Sequence, residues 1–399
     1  MHAPISPIQE LKESKNLAIY LQKLKLKNLI PPLKLKQDFQ GQAPGIFVGR
    51  HNYPNINIGP VGFLGEQTFA QKQEIEPTIL WQQEYQDIVQ HRLFFMITRK
   101  QTNIKTREND EIKYLAQAKN LPQVQTSFIK RPYLPDKSIS FGTELNLYGP
   151  SAKLKNFKII ENPKIPAKVE KIINDELKAQ QQLKLLYESG FSEYYLQEIL
   201  SSGSFGQKQN QKLVPTRWSI TATDDIITKN LLKNIRTYKE LETFEIFEAK
   251  KFGNHFVILL MPGKFQYENF EAWSSEGPWW QNQPEQDFVS EENESYFGRT
   301  TYADKQGGGY YAARIAAVEY LQKIKRQAKV FSIREISSDY IIPMGVWVVR
   351  ETAKQALQNK ITFQTLKEAL YYIQQNTTIK LQRYLPKSIY FQQTKITDF

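Results

Sequence analysis

The side chains best suited to chemistry are concentrated in the middle of this 399-residue chain, in the stretch 213–225. They are Arg217, Trp218, Ser219, Asp224 and Asp225. An arginine can bind a phosphate through two hydrogen bonds, and a tryptophan can stack on an exposed base. We therefore predict that Arg217, Trp218 and Ser219 contact a phosphate or a base.

The acidic pair suggests a second chemistry, because carboxylates can hold a divalent metal for metal-assisted hydrolysis. Asp224 and Asp225 are the only acids that we nominate as catalytic. Adjacent side chains on a helix diverge by ~100°, so such a site would need a third acid from elsewhere, such as Glu66 or Glu276. The alternative role of Asp224 is structural, as a residue that caps a helix.

The stretch 213–225 is predicted to be a strand that stops where a helix begins. Apolar residues recur at helical spacing from Ile227 to Ile235, which indicates one buried face. Thr223 or Asp224 is then the expected N-cap, accepting a hydrogen bond from an unpaired backbone amide.

A second motif, residues 48–60, places a short strand between two predicted turns. Gly49-Arg50 and Gly59-Pro60 have turn composition, and isoleucines alternate with asparagines between them. Arg50 would project from a rigid turn, where it could bind a phosphate. The alternative is that the motif is only the edge of a hairpin.

A third motif is a glycine triplet that precedes a strongly predicted helix over 310–326. The glycines are Gly307, Gly308 and Gly309. Backbone amides at the start of a helix attract anions, and Arg299 and Arg314 could add positive charge. The alternative is that the glycines allow close helix packing. We predict that the three motifs converge on one phosphate- or base-binding site.

The remaining pattern indicates an α+β fold with mixed sheets and packed helices. Residues 166–189 have the longest helical stripe, 243–249 and 255–261 form a predicted hairpin, and 341–350 read as an apolar strand. We also expect an N-terminal helical arm over 1–35 and a flexible tail over 386–399.

The composition narrows the possible partners. Lys and Arg outnumber Asp and Glu by 53 to 41, and the net charge of +12 favours an anionic partner such as DNA.

Cysteine is absent, which excludes disulfides and thiolate zinc sites, and we predict no metal site. No apolar run approaches the ~20 residues of a membrane helix, so we expect a cytoplasmic protein without a membrane partner. The sequence leaves any cofactor undefined.

Four segments together resemble the archaeal DNA repair protein Nre family. They are VGRHNYPNINIGPVG, LVPTRWSITATDD, FGRTTYADKQGGGYYAARIAAVEYL and PMGVWVVRE, in that order. The resemblance implies a role in DNA damage repair with the sliding clamp, PCNA, but no defined reaction. It also implies an N-terminal domain over 36–285 and a C-terminal domain over 286–385. Many family members have a cysteine cluster that looks zinc-binding; this chain has none, so no zinc is implied.

The family's clamp-binding feature has a counterpart at the C-terminus. The last residues fit the pattern Gln-x-x-aliphatic-x-x-aromatic, with Gln393, Ile396 and Phe399 at the key positions. In one 3₁₀ turn, Ile396 and Phe399 fall on the same side and can fill an apolar pocket while Gln393 hydrogen-bonds beside it. The second aromatic of the usual motif is missing, because the sequence stops.

The sequence thus favours a DNA repair protein that binds PCNA through its tail and contacts DNA through the three motifs. The alternative from another class is a metal-assisted nuclease or nucleotide-processing hydrolase that uses Asp224 and Asp225. A third is a clamp-bound adaptor without an active site. The sequence leaves open whether the protein is an enzyme.

Overall fold

The computed structural model describes residues 35–65, 69–133, 149–275, 288–340 and 344–391. The chain divides into two compact units, whose boundary falls between residues 227 and 228. Several predictions concern residues outside the described ranges: the helical arm apart from its last residue, the acids Glu66 and Glu276, and the clamp-binding residues Gln393, Ile396 and Phe399. Among the described helices, none combines the length and the apolar character that crossing a membrane requires.

The first unit is built on a six-stranded mixed sheet with the order β1-β5-β6-β4-β3-β2. The strands are β1 (Asp38–Gln42), β2 (Gly45–Val48), β3 (Asn55–Phe63), β4 (Phe95–Asn103), β5 (Gln123–Phe128) and β6 (Ser151–Ile159). β4 and β6 run parallel, and the other neighbours run antiparallel. Apolar residues from β2, β3 and a nearby helix, among them Val48, Ile56 and Leu115, form a core.

The helices of the first unit are mostly short. They are α1 (Pro77–Leu80), α2 (Tyr85–Leu93), α3 (Asp110–Gln117), α4 (Ala167–Asn174), α5 (Ala179–Glu188), α6 (Glu193–Ser201) and the beginning of α7 (Thr216–Ile235). The hydroxyl of Ser192 caps α6 by accepting a hydrogen bond of 3.3 Å from the amide of Tyr195.

The predicted helix over 166–189 is wrong as a single element, because the structure divides it into α4 and α5. The side-chain amide of Gln182, on α5, donates hydrogen bonds of 2.8–3.3 Å to the carbonyl oxygens of Ile172, Ile173 and Asp175. These carbonyls end α4, where a helix leaves acceptors without backbone partners. A side chain from the next helix therefore supplies the hydrogen bonds that these carbonyls lack where the two helices separate.

The predicted turn at Gly59-Pro60 is also wrong, because both residues lie inside β3. The hydroxyl of Thr98, on β4, donates a hydrogen bond of 2.7 Å to the Pro60 carbonyl. A Cβ atom at Gly59 would collide with the hydroxyl and carbonyl oxygens of Thr98. Glycine is thus required here for the close approach of the neighbouring strand.

The second unit contains another six-stranded mixed sheet, in the order β10-β9-β11-β8-β7-β12. Its strands are β7 (Phe244–Lys251), β8 (Asn254–Met261), β9 (Gln266–Trp273), β10 (Phe288–Glu294), β11 (Lys329–Ile336) and β12 (Lys360–Phe363). Its helices include α8 (Gly308–Ile324), α9 (Val346–Ala356) and α10 (Leu366–Asn376). β9 and β11 are parallel and the other neighbours are antiparallel.

Helices cover both faces of this sheet, which explains the apolar run of β8. Phe256, Ile258 and Leu260 pack in the cluster that contains α8 and α9 residues. Val257 and Leu259 pack on the opposite face, in the cluster that contains α10 residues. The architecture confirms the predicted α+β class with mixed sheets and packed helices.

Two predicted elements of this unit are confirmed and one is wrong. β7 and β8 form the predicted hairpin, whose turn residues Phe252 and Gly253 have φ of 50° and 71°. The predicted helix over 310–326 is α8. The predicted strand over 341–350 is wrong in its second half, since α9 begins at Val346. A fully buried helix segment and a buried strand give the same apolar run.

Candidate nucleic-acid interface

The turn between β2 and β3 presents several polar and aromatic side chains. The amide of Gly49 donates to the carbonyl of Asn57 over 2.8 Å, and the amide of Asn55 donates to the carbonyl of Asn52 over the same distance. Asn52 has φ of 63°, a left-handed conformation that asparagine tolerates better than most residues. The turn leaves Arg50 half-buried and Tyr53 exposed.

A buried ion pair holds β2, the strand that leads into this turn. Lys72 Nζ lies 2.8 Å from a carboxylate oxygen of Glu198, and Glu198 Oε1 accepts a hydrogen bond of 2.9 Å from the amide of Ile46. Burial raises the pKa of Glu198 above its usual value, and the nearby ammonium group of Lys72 opposes that rise. The pair therefore anchors one strand of the candidate interface to α6.

The stretch 213–225 is not the strand that we predicted. α7 begins at Thr216, and the carbonyl of Pro215 accepts hydrogen bonds from the amides of Trp218 and Ser219 at 2.8 and 2.9 Å. The expected N-cap at Thr223 or Asp224 is also wrong, because both residues lie inside the helix. Arg217, Trp218 and Ser219 consequently occupy its first turn.

The first two motifs meet at the beginning of α7. The amide of Val48, before the turn, donates a hydrogen bond of 3.2 Å to the Thr216 hydroxyl. The rings of Tyr53 and Trp218 lie 5.2 Å apart, centroid to centroid, at an angle of 52°. Tyr53 is 45% exposed and Trp218 is 44% exposed, so the pair presents a large aromatic surface. Arg217 is exposed on the same helical turn as Trp218.

The other side of α7 faces inward. The Ser219 hydroxyl donates to the carbonyl of Gln197, and the Gln197 side-chain amide donates to Asp224 Oδ1 over 3.4 Å. Ser219 and Asp224 are both fully buried. These contacts tie α7 to α6, and they place Ser219 and Asp224 out of reach of an external DNA strand.

The arrangement gives little support to a metal site. Asp225 is half-buried beside the fully buried Asp224, and the acids nominated to complete the site lie outside the described residues. Among the residues that the structure describes, no group of three or more His, Asp or Glu side chains is placed to hold a metal ion.

The glycine triplet belongs to the second unit. Gly307, with φ of 55°, precedes α8. Arg299 donates to Glu292 Oε2 at 2.8 Å, to the carbonyl of Asn293 on β10 and to two carbonyls of its own loop. Arg314 is buried and lies 2.6 Å from a carboxylate oxygen of Glu294. A phosphate would have to displace these carboxylates, and the convergence of the third motif with the first two stays a prediction.

Tyr53 is a residue of the candidate interface that the sequence did not single out. It lies in the second motif, three positions after Arg50, in a turn rich in asparagine and proline. An exposed aromatic residue in such a turn is a weak signal by itself. Tyr53 becomes a candidate only through its ring contact with Trp218, which is far away in sequence. The predicted strand would have placed the Trp218 side chain differently.

Comparisons with known proteins point to one family over most of the chain. Two family models match: archaeal Nre, N-terminal, over residues 15–280, and archaeal Nre, C-terminal, over residues 294–399. No solved structure matches.

Three curated relatives are similar in sequence. DNA repair protein NreA of Archaeoglobus fulgidus is 34% identical over 334 residues, which cover 82% of each chain. DNA repair protein NreB of the same organism is 33% identical over 368 residues, or 90% of this chain and 91% of the relative. DNA repair protein NreA of Haloferax volcanii is 31% identical over 338 residues, or 81% of this chain and 79% of the relative. The chain therefore belongs to the archaeal Nre family.

Proposed function

We propose that this protein acts in DNA repair and contacts DNA through the surface formed by Arg50, Tyr53, Arg217 and Trp218. Relatives over most of its length are named as DNA repair proteins. The observation that carries the DNA contact is the exposed ring pair of Tyr53 and Trp218. This interface is called the ring-pair surface below.

The chemistry of the ring-pair surface suits unpaired or distorted DNA. Aromatic side chains stack on bases that have left the duplex, without strong preference for sequence. Arginines beside them can bind the flanking phosphates. The net charge of +12 would draw DNA to the protein from a distance, an effect that salt weakens.

Substitution of Trp218 tests this contact. We expect Trp218→Ala to weaken binding of a fluorescent single-stranded oligonucleotide by about 5- to 150-fold, the range for loss of one base–aromatic stack. Trp218→Phe should retain most of the affinity, because a smaller ring still stacks. Fluorescence anisotropy at several salt concentrations measures both effects.

The matched control is Tyr371→Ala, which removes an exposed aromatic residue from α10 in the second unit. It should leave DNA affinity unchanged. Equal affinities for wild type, Trp218→Ala and Tyr371→Ala would remove the ring-pair surface from DNA binding, provided that circular dichroism shows all three folded.

We also propose that residues 393–399 bind the sliding clamp, PCNA. The support is the spacing of Gln393, Ile396 and Phe399 together with family membership. Two residues before this motif, Phe391 packs against Phe331 at 5.4 Å between ring centroids. Since one residue spans at most ~3.6 Å, a bound clamp would be held close to the second unit.

Deletion of residues 393–399 should abolish clamp binding in calorimetry and leave DNA affinity and thermal stability unchanged. Ile396→Ala with Phe399→Ala should reproduce the loss, because these side chains would fill the apolar pocket. Lys395→Ala with Thr397→Ala alters positions that the motif leaves free and should bind normally. Retained affinity after the deletion would exclude the tail as the docking segment.

A further inference from the structure

A basic cleft of about 840 Å³ lies in the first unit, separate from the ring-pair surface. Its walls come from the loop after β4, from α3 and α4, and from the segment 203–213. This volume is within the ~300–1,000 Å³ typical of ligand clefts. The cleft is not lined by any of the residues that the three sequence motifs nominate for phosphate or base contact.

The lining has an excess of three positive charges. Lys105, Arg107, Lys113, Lys208 and Lys212 line the cleft, against the acids Asp110 and Glu170. Lys113 lies 3.9 Å from Asp110. The other four cations form no ion pair within the described part of the chain. Grouped cations without acidic partners indicate an anionic ligand.

One further feature suggests that the ligand carries bases as well as phosphates. Tyr114, on α3, lines the cleft and is 49% exposed, so its ring is open for stacking.

The basic loop is held in place by a close backbone approach. Gly203 has φ of 75°, and a Cβ atom there would lie 2.7 Å from the carbonyl oxygen of Lys212. The side-chain amide of Gln211 donates to the carbonyls of Ser204 and Gly206 at 2.9 and 3.2 Å. Lys208 and Lys212 are therefore carried by a fixed segment, which favours a preformed site.

The cleft and the ring-pair surface are connected through one residue of the loop after β4. The amide of Ile104 donates to the carbonyl of Pro54, next to Tyr53, over 3.0 Å. The carbonyl of Ile104 accepts from the amide of Leu213 over 2.9 Å, and Leu213 lines the cleft. Lys105, the next residue, lines it too. A single strand lying on the ring pair is thus within reach of the cleft.

We propose that this cleft binds a segment of single-stranded DNA continuous with the strand on the ring-pair surface. Lys105, Arg107, Lys208 and Lys212 bind its phosphates, and Tyr114 stacks on a base. This proposal rests on the proposed function, since DNA is the ligand of both surfaces. A duplex keeps its bases stacked internally, so the cleft distinguishes single-stranded from double-stranded ends.

The test compares charge and stacking separately in the full chain, with a fluorescein-labelled oligothymidylate as the probe. Lys208→Gln with Lys212→Gln removes two phosphate contacts, so binding should weaken on the order of 20-fold at about 0.1 M salt, and the salt slope should fall by about 1.4. Tyr114→Ala should weaken binding about fivefold or more without altering the salt slope, and Tyr114→Phe should bind like wild type.

The matched charge control is Lys155→Gln with Lys158→Gln, two exposed lysines of β6 that do not line the cleft. It should retain nearly all of the affinity. Normal binding by the Lys208/Lys212 and Tyr114→Ala variants, alongside weak binding by Trp218→Ala, would overturn the cleft proposal and leave the ring-pair surface intact. Absence of DNA binding by the wild type would overturn the proposed DNA contact itself.

Three competitors distinguish a DNA strand from smaller or double-stranded ligands. Unlabelled duplex should compete poorly, and thymidine monophosphate or inorganic phosphate should compete only at far higher phosphate concentration than the oligonucleotide. Competition by the monophosphate at equal concentration would overturn the strand proposal and make the cleft a mononucleotide site.

Discussion

Gly309 shows how one residue fixes the packing of α8. A Cβ atom at this position would lie 2.7 Å from Glu271 Oε1, and the same oxygen accepts a hydrogen bond of 2.5 Å from Arg334 Nη1. Arg334 also donates to Asn254 Oδ1. The glycine lets the helix approach a buried ion pair, which favours close packing over anion binding as the role of the triplet.

Gly309→Ala should therefore destabilise the protein by about 1–3 kcal/mol, because the added methyl group must push the buried pair apart. Urea unfolding followed by circular dichroism measures the change. In an open helix the same substitution stabilises by up to ~1 kcal/mol. A gain in stability would mean that Glu271 can move aside and that packing does not require the glycine.

Among the elements, α7 shows why the strand predicted over 213–225 was wrong. Over residues 216–230 of this helix the buried positions are occupied by Ser219, Thr223, Asp224 and Thr228, with Ile227 as the apolar exception. A helix that buries small polar residues has no apolar periodicity to recognise. The partner of Ser219 and Asp224 is Gln197, which lies on another element, α6.

Elements with local signals were predicted well. The β7–β8 hairpin is specified by two apolar strands around a glycine-containing turn, and α8 by a long apolar stripe. The break between α4 and α5 could not be foreseen, since the apolar spacing continues across it and the stabilising contact comes from the side chain of Gln182. The same limit applies to the candidate site, where Arg217 and Trp218 were identified but Tyr53 and the basic cleft were not.

At the scale of the whole molecule, the end of the described chain is attached to the second sheet by two buried carboxylates. Glu335, on β11, accepts hydrogen bonds of 2.8 Å from the amides of Thr378 and Ile379. Glu268, on β9, accepts from the Ser388 hydroxyl at 2.6 Å and from the Ile389 amide at 2.7 Å. These contacts fix the chain four residues before the proposed clamp-binding motif. They join residues far apart in sequence, which no local pattern indicates.

The attachment through Glu268 should make global stability depend on pH. Burial raises the pKa of Glu268 to about 7 from a value of 4.5 without burial, and the hydrogen bonds from Ser388 and Ile389 only partly oppose this rise. Between these two pH values the folded state holds a proton that the unfolded state has lost. The contribution of Glu268 to the free energy of unfolding is therefore complete below pH 4.5 and is lost as the pH rises through 7.

Glu268→Gln isolates this contribution, because glutamine keeps an acceptor for the C-terminal segment but does not ionise. We expect the free energy of unfolding of the wild type, relative to that of Glu268→Gln, to fall by about 2 kcal/mol as the pH rises from about 4.5 to 7. Denaturant unfolding across this range gives the difference directly. Glu240→Gln, which alters an exposed carboxylate of the same unit, should follow the wild type. Parallel curves for wild type and Glu268→Gln would show that the buried carboxylate ionises without a cost in stability, which would contradict the raised pKa of Glu268.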